Sequence, residues 1–189
     1  MFEYLMPLLH MRDYRNTLLD RGARGAVSIQ QLYARERRVP WGISEAAYSA
    51  RDGRMQYQYS AFGVPPLSAS SDALDRLVIA PYASMLALMV DPGPATANLR
   101  LLAAKGCLAR YGFFEAVEYS PATGHPEMIR CFMAHHQGMG LLAIDNALLG
   151  ERMQERFHLD PQVQATEFLL QERMPALVET LGESEDAAA

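Results

Sequence analysis

The chain has 189 residues, of which half are hydrophobic and 21% are charged. This composition supplies a substantial core and excludes a disordered chain. The net charge of −5 leaves no basic surplus for binding nucleic acid, and no apolar run approaches the roughly 20 residues of a membrane-spanning helix. The two cysteines, Cys107 and Cys131, match no metal-binding or disulfide spacing, so we expect a reduced cytoplasmic protein.

The first long predicted helix runs from about Thr17 to Arg38, and Pro40 ends it. Thr17 followed by Asp20 resembles a helix start. Small or apolar residues at spacings of three and four predict one buried face of this helix. That face consists of Leu18, Gly22, Ala26, Ile29 and Tyr33. Residues 40–76 are predicted to form a loop with a short hairpin, because MQYQYSAF alternates in the manner of a strand.

Four further helices are predicted, at 81–90, 94–107, 132–149 and from Asp160 to just before Pro175. The segment YGFFEAVEYS is predicted to be extended, and the tail ESEDAAA to be disordered. Helices with short connections on one side and long polar, aromatic loops on the other indicate an all-α chain and an α/α toroid. In such a fold the loops of one rim form the site, so we expect residues 40–76 and 109–131 on the same rim.

Three segments combine carboxylates with aromatic residues: MFEY with Glu3, WGISEAAY with Glu45, and FFEAVEY with Glu115 and Glu118. Aromatic rings stack on sugars, and apolar surroundings raise the pKa of a carboxyl group enough for it to act as an acid near neutral pH. Glycoside chemistry uses two such groups about 5 to 10 Å apart. The same glutamates could instead cap helices or pair with arginines, and the sequence leaves both interpretations open.

The segment AHHQGMG, residues 134–140, opens a predicted helix. Adjacent histidines on a helix point about 100° apart and so differ from the i, i+4 pair that binds one metal ion. No carboxylate stands at a suitable offset, and we predict no metal. His135, His136 and Gln137 are predicted to bond to sugar hydroxyls. The alternative is a hydrogen-bond network at the helix start that organises the core.

Seven segments, in order along the chain, closely resemble the glycoamylase-like domain of bacterial cyclic β-1,2-glucan synthases. They are FEYLMP, TLLD, RERRVPWGISEAAYSARD, YQYSAFGVP, VIAPYASMLALMVDP, RYGFFEAVEYSP and FMAHHQGMGLLAIDN. The resemblance implies a domain similar to the (α/α)6 toroids of endo-β-1,2-glucanases, within a large inner-membrane synthase. It also implies a transglycosylase that closes linear β-1,2-glucan into a ring, without a cofactor.

About half of the twelve helices of such a toroid are predicted here. We therefore expect residues 1–150 to be the C-terminal half of that domain, and residues 151–189 a trailing helix and linker with a disordered tail. The expected partners are β-1,2-glucan and the remaining domains of the parent synthase, with self-association through exposed apolar faces. Nucleic acid binding and direct membrane insertion are not expected.

Because each lies on a predicted rim loop beside aromatic residues, we expect Glu45 and Glu115 to be the reacting pair, with Glu3 as the substitute. The predicted sugar-binding residues are Trp41, Tyr48, Arg51, Asp52, Tyr59, His135, His136 and Gln137, of which Arg51 and Asp52 fix the first loop. Two alternatives from other classes remain: a truncated, non-catalytic glucan-binding or structural module, and a helical scaffold without a ligand.

Overall fold

The computed structural model describes residues 1–67, 76–119 and 124–173. Within these residues the α-helices are α1 (Phe2–Leu5), α2 (Leu18–Arg37), α3 (Pro81–Leu86), α4 (Pro92–Ala104), α5 (Ala134–Leu149), α6 (Arg152–Phe157) and α7 (Pro161–Thr166). The strands are β1 (Ala46–Arg51), β2 (Tyr57–Ser60), β3 (Leu77–Ile79), β4 (Leu108–Ala109), β5 (Gly112–Phe113), β6 (Ala116–Tyr119) and β7 (Pro126–Ile129). Short 3-10 segments cover Met6–Leu9, Pro65–Leu67, Ala87–Met89 and Glu167–Gln171.

Helix α2 begins where the sequence predicts, because Thr17 caps it. The Thr17 hydroxyl accepts a hydrogen bond from the Asp20 backbone N–H at 3.3 Å. The predicted buried face is wrong in part, since Leu18 is 59% exposed. The buried residues of α2 are Asp20, Ala23, Ala26, Val27, Gln30 and Ala34. The inward face is the one that carries Gln30, whose amide bonds to the backbone of Ile43.

The strands add more to the predicted helices than the one short hairpin expected in residues 40–76. β1 and β2 form an antiparallel hairpin, and β3, β6 and β7 form a three-stranded antiparallel sheet in that order. β2 lies in MQYQYSAF, and its partner β1, in AAYSAR, also lies within residues 40–76, where the hairpin was predicted. The described part of YGFFEAVEYS, residues 111–119, supplies β5 and β6 in agreement with the predicted extended segment. The sheet was not predicted because β3 has only three residues and joins two segments that are distant in sequence.

The two segments expected on one rim contact each other. Ile43 bridges Ile79, and the Ala47 N–H bonds to the Glu115 carboxylate at 3.2 Å. Strand β3 then continues the contact by pairing with β6. The loop that begins at Trp41 and the segment around Glu115 therefore belong to one continuous structure.

Helices α3 and α5 pack closely at a glycine. A Cβ atom built on Gly140 would lie 2.5 Å from the Met85 Sδ atom, so a side chain there requires Met85 to move. Helix α5 ends at Gly150, which adopts the left-handed conformation, as the sequence predicts. This packing holds α5, whose first turn carries His135 and His136, against α3.

The residues after α5 form different helices from the single helix that was predicted there. Helix α6 was not predicted, and α7 is capped by Asp160 as expected but ends at Thr166, where a 3-10 segment follows. The tail ESEDAAA lies outside the described residues. The described helices include none that is both long and apolar enough to cross a membrane.

Candidate active site

Two of the predicted carboxylates stand where loops enter strands. Glu45 directly precedes β1 and is half-buried, whereas Glu115 directly precedes β6 and is 2% exposed. The backbone of Glu115 is held by its N–H, which bonds to the Cys131 carbonyl at 3.0 Å. The polar tip of Tyr82, on α3, donates to the Glu45 carbonyl at 3.0 Å. Both glutamates are therefore positioned by backbone hydrogen bonds rather than by the flexible parts of loops.

His136 lies between these carboxylates and is 1% exposed. Its Nδ1 atom is 2.9 Å from the Glu115 Oε1 atom, and its Nε2 atom is 3.3 Å from the Tyr59 hydroxyl. The ring of Tyr82 stacks on the imidazole with centroids 3.8 Å apart and planes 12° apart. Because His136 sits in the first turn of α5, the close packing of α3 on α5 sets the position of its ring.

Tyr59 completes a connection between the two glutamates. Its hydroxyl donates to the Glu45 Oε1 atom at 2.9 Å and also meets His136. Burial raises the pKa of Tyr59, and the hydrogen bond to Glu45 raises it further. Burial likewise raises the pKa of Tyr82. Both phenols therefore remain protonated at neutral pH. We refer to the connected side chains of Glu45, Tyr59, His136 and Glu115 as the carboxylate bridge.

Glu118 has a structural role that fits the alternative interpretation of these glutamates. It is buried, accepts a hydrogen bond from the Ser49 N–H at 2.9 Å and pairs with Arg76 at 2.7 Å. Burial alone would raise the pKa of Glu118, but the hydrogen bonds from Ser49 and Arg76 outweigh it and lower the pKa. Glu118 is thus an ionised carboxylate that holds β1 against β6.

Glu3, the predicted substitute, is exposed and lines the same cleft as Glu45. The cleft has a volume of about 180 Å³. Its walls come from the α1 segment and the loop after β2, and the Phe2 N–H donates to the Ser44 hydroxyl at 3.1 Å. Glu3 and Glu45 therefore face one open space, whereas Glu115 is reached through the carboxylate bridge.

The predicted sugar-binding residues divide by exposure. His135 and Tyr59 are exposed, Gln137 is half-buried, and Trp41 is 8% exposed. The Gln137 amide donates to the Phe113 carbonyl at 3.2 Å. The burial of Trp41 argues against its predicted stacking on a sugar, because the indole belongs to the core cluster. The burial of His136 argues in the same way for the alternative of a network that organises the core.

The remaining predicted residues belong to the hairpin. Asp52 accepts hydrogen bonds from the Arg54 and Gln56 N–H groups at 2.8 and 2.9 Å, which fixes the turn as expected. Arg51 lies over the Tyr57 ring and bonds to its hydroxyl at 2.8 Å. Tyr48 is half-buried against Phe62 in an edge-to-face contact. These contacts shape the turn between β1 and β2 and the outer end of the hairpin.

The ligand atoms of Glu45, His135 and His136 lie within 4.8 Å of one another, a spacing that a metal ion could use. The sequence argument against a metal considered only the helix, whereas the carboxylate comes from the loop before β1. Both nitrogens of His136 already have protein partners, Glu115 and Tyr59. We therefore interpret this cluster as a hydrogen-bonded network. Burial and then the neighbouring His136 lower the pKa of His135.

Tyr82 and Ser44 are site residues that the sequence analysis missed. The Ser44 hydroxyl and the Tyr82 hydroxyl are 2.9 Å apart, and both are buried. Tyr82 was assigned to a scaffold helix because it follows Pro81 at a helix start. An aromatic residue with a polar tip in the first turn of an apolar helix is the signal that could have indicated it.

Solved structures of carbohydrate-active enzymes share this fold. An endo-β-1,2-glucanase from Chitinophaga pinensis, in complex with sophorotriose and glucose, superposes with a TM-score of 0.63 at 15% identity. It is matched over 90% of this chain and 40% of its own. A β-1,2-glucanase from Parabacteroides distasonis gives a TM-score of 0.66 at 16% identity, over 90% of this chain and 24% of its own.

The family follows from the sequence comparison. The model of the family described as putative glucoamylase matches residues 1–161, and the chain belongs to this family. The cyclic β-(1,2)-glucan synthase NdvB of Rhizobium meliloti (strain 1021) is 44% identical over 180 residues. The match covers 93% of this chain and 6% of that synthase, so the chain spans a small part of the length of this relative.

Proposed function

We propose that this chain is part of a carbohydrate-active domain of a cyclic β-1,2-glucan synthase. It acts on linear β-1,2-glucan by transglycosylation, which closes the ring, or by hydrolysis. Its site lies on the rim of a partial α/α toroid. The similarity to the Rhizobium meliloti synthase and the fold shared with two β-1,2-glucanases support the substrate class. The observation that carries the chemistry is the pairing of Glu45 and Glu115 through Tyr59 and His136.

Glu45 and Glu115 differ in a way that suits paired carboxylate chemistry. Glu45 is half-buried and borders an open cleft, so it can contact a sugar directly. Glu115 is buried, and its Oε2 atom has no hydrogen-bond partner among the described protein groups. Two carboxyl groups in different environments can hold different protonation states, as acid and nucleophile or base require. In this proposal the exposed His135 and the ring of Tyr59 contact sugar hydroxyls beside Glu45.

The test measures glucan products for variants in which an amide replaces one of the proposed reacting carboxylates. The chain, and its parent synthase where the chain alone is inactive, is incubated with linear β-1,2-glucan, and the products are resolved by mass spectrometry. Glu45→Gln and Glu115→Gln should each lower ring closure or cleavage by about 10²- to 10⁴-fold, because an amide can neither donate the proton nor attack. In the synthase, linear chain synthesis should continue. Glu36→Gln, an exposed carboxylate on α2, is the matched control.

The second candidate is a non-catalytic glucan-binding or structural module. The burial of Glu115 and the small share of each glucanase that the chain covers favour it. Calorimetric titration with linear β-1,2-glucan separates the two. Binding that is unchanged in Glu115→Gln, with no turnover in chain or synthase, would support the module and contradict the enzyme.

A further inference from the structure

We propose that Tyr59 and His136 are positioning residues through which Glu45 and Glu115 hold one proton in common. The role of this shared proton in catalysis rests on the proposed function, whereas the proton-sharing itself does not. The contacts themselves are consecutive: Glu45 Oε1 to the Tyr59 hydroxyl at 2.9 Å, that hydroxyl to His136 Nε2 at 3.3 Å, and His136 Nδ1 to Glu115 Oε1 at 2.9 Å.

A count of protons shows why the bridge holds one more than its ordinary ionisation states supply. Each of the three contacts needs one proton between its heavy atoms. Two ionised carboxylates, a phenol and a neutral imidazole bring two protons, one from Tyr59 and one from His136. One contact would then lack a proton. A third proton completes all three hydrogen bonds.

The third proton has three placements that keep the same heavy-atom positions. It resides on Glu45 with Tyr59 donating to His136, on His136 with both ring nitrogens donating, or on Glu115 with the ring donating to Tyr59. Movement between Glu45 and His136 passes through Tyr59 and breaks two X–H bonds while it forms two, whereas movement between His136 and Glu115 breaks one and forms one. The number of protons is conserved in both. The two carboxylates thus share the third proton through Tyr59 and His136.

The surroundings favour the placement on His136 at rest, in which Tyr59 donates to Glu45 and both ring nitrogens donate, to Tyr59 and to Glu115. Glu115 and His136 are 2% and 1% exposed, and an isolated charge on either would be costly to bury. The groups that face the imidazole are Glu45, Glu115, His135 and the hydroxyl of Tyr59, together with the stacked ring of Tyr82. Of these, only Glu45 and Glu115 carry a negative charge when ionised, and one proton held between them leaves a single net negative charge.

This arrangement links the two ends of the proposed reaction. Before the glycosidic bond breaks, His136 passes its Nε2 proton to the Tyr59 oxygen while Tyr59 passes its own proton to Glu45. When Glu45 then gives this proton to the oxygen of the breaking glycosidic bond, Tyr59 turns its hydroxyl hydrogen toward the new Glu45 carboxylate. His136 keeps its proton on the Glu115 side, so Glu115 stays ionised. The incoming hydroxyl or water later returns a proton to Glu45. Tyr59 and His136 act through the glutamates and need no contact with the sugar.

The test uses the 189-residue chain itself, labelled with ¹⁵N-histidine, and reads the two imidazole nitrogens of His136 by long-range NMR at neutral pH. Wild type should show bonded protons at both nitrogens, protected from exchange with water. Tyr59→Phe should remove the Nε2–H signal and leave Nδ1–H. Tyr57→Phe, two residues away on β2 and bonded to Arg51, is the matched control and should leave both signals in place.

Glu45→Gln tests the carboxylate bridge specifically, because within this bridge Glu45 is connected to His136 only through Tyr59. This change should shift the Nε2 resonance in the wild-type background and have no effect in the Tyr59→Phe background. Equal shifts in both backgrounds would indicate a direct electrostatic effect and overturn the proposal, as would a single protonated nitrogen in folded wild type. If His136 responds as expected while no variant affects glucan turnover, the bridge stands and the proposed function falls.

Discussion

The loop that carries Glu45 is held by side chains that bond to its backbone. Substitution of one of these side chains, Asn98, tests how much they stabilise the loop. Its Oδ1 atom accepts from the Trp41 N–H at 3.2 Å, and its Nδ2 atom donates to the Trp41 carbonyl and to the Ser84 hydroxyl, each at 2.8 Å. Asn98 is 4% exposed, so water cannot replace these bonds without entering the core. Asn98→Ala leaves the Trp41 peptide groups without partners.

The expected cost follows from those orphaned groups. A buried donor or acceptor that loses its partner costs about 1–3 kcal/mol, and two main-chain groups are affected. We expect Asn98→Ala to lower the free energy of unfolding by about 3 kcal/mol, which corresponds to about 6–12 °C in Tm for a chain of this length. Urea unfolding measures the loss. Arg100→Ala, an exposed change on the same helix, should cost less than about 0.5 kcal/mol.

The same variant has a local readout, because Trp41 is the chain's only tryptophan. Its fluorescence in the folded state should move to longer wavelength in Asn98→Ala as water reaches the loop. A loss of stability no larger than that of Arg100→Ala, together with an unchanged emission maximum, would refute the argument that Asn98 anchors this loop.

Three further predictions concern stability and association. Burial, followed by the nearby Asp20, raises the pKa of Asp13 from 3.8 to about 6, so folding stability falls as the pH rises between those values. Asp13→Asn should therefore raise the free energy of unfolding above that of wild type by about 1 kcal/mol at pH 7, a figure reduced for solvent screening, and should leave it unchanged at pH 3.5. Urea unfolding at both pH values measures the difference. Glu118→Gln should lower the free energy of unfolding by about 1–3 kcal/mol at pH 7. This loss should shrink in acid, because the pKa of Glu118 is lowered in the folded chain and only the ionised carboxylate stabilises the fold. Thermal unfolding as a function of pH measures the change. Leu141 and Leu148 on α5 are 68% and 76% exposed and should support self-association. Changing both to serine should lower the mass measured by light scattering, and a monodisperse wild-type monomer would contradict this prediction.

Local signals in the sequence predicted most helix boundaries. Thr17, Gly150 and Asp160 each act within one turn of the residue they cap or end, so their effect is readable from neighbours alone. The inward face of α2 was less predictable. A polar residue, Gln30, faces inward because it satisfies the backbone of Ile43, and hydrophobic periodicity does not report such a partner.

The candidate site was predictable in its residue types but not in its connections. Glu45, Tyr59, His136 and Glu115 were all named from their surroundings in the sequence. Their hydrogen bonds join residues 14, 77 and 21 positions apart, and only the sheet and the packing of α3 on α5 bring them together. Tyr82 was missed for the same reason, since its ring meets His136 across two helices.

The hydrogen bonds between the first and last described segments bear on how the chain folds during synthesis. The Leu8 and Leu9 carbonyls accept from the Gln154 and Asn146 amides, and the Arg12 N–H donates to the His158 ring, across 137 to 146 residues. These backbone groups have no such partners until α5 and α6 have been made. At about 5–20 residues per second, the N-terminal segment waits about 7–30 seconds for them. During that interval Leu5, Leu8 and Leu9, which are buried in the folded chain, are open to chaperones or to premature association.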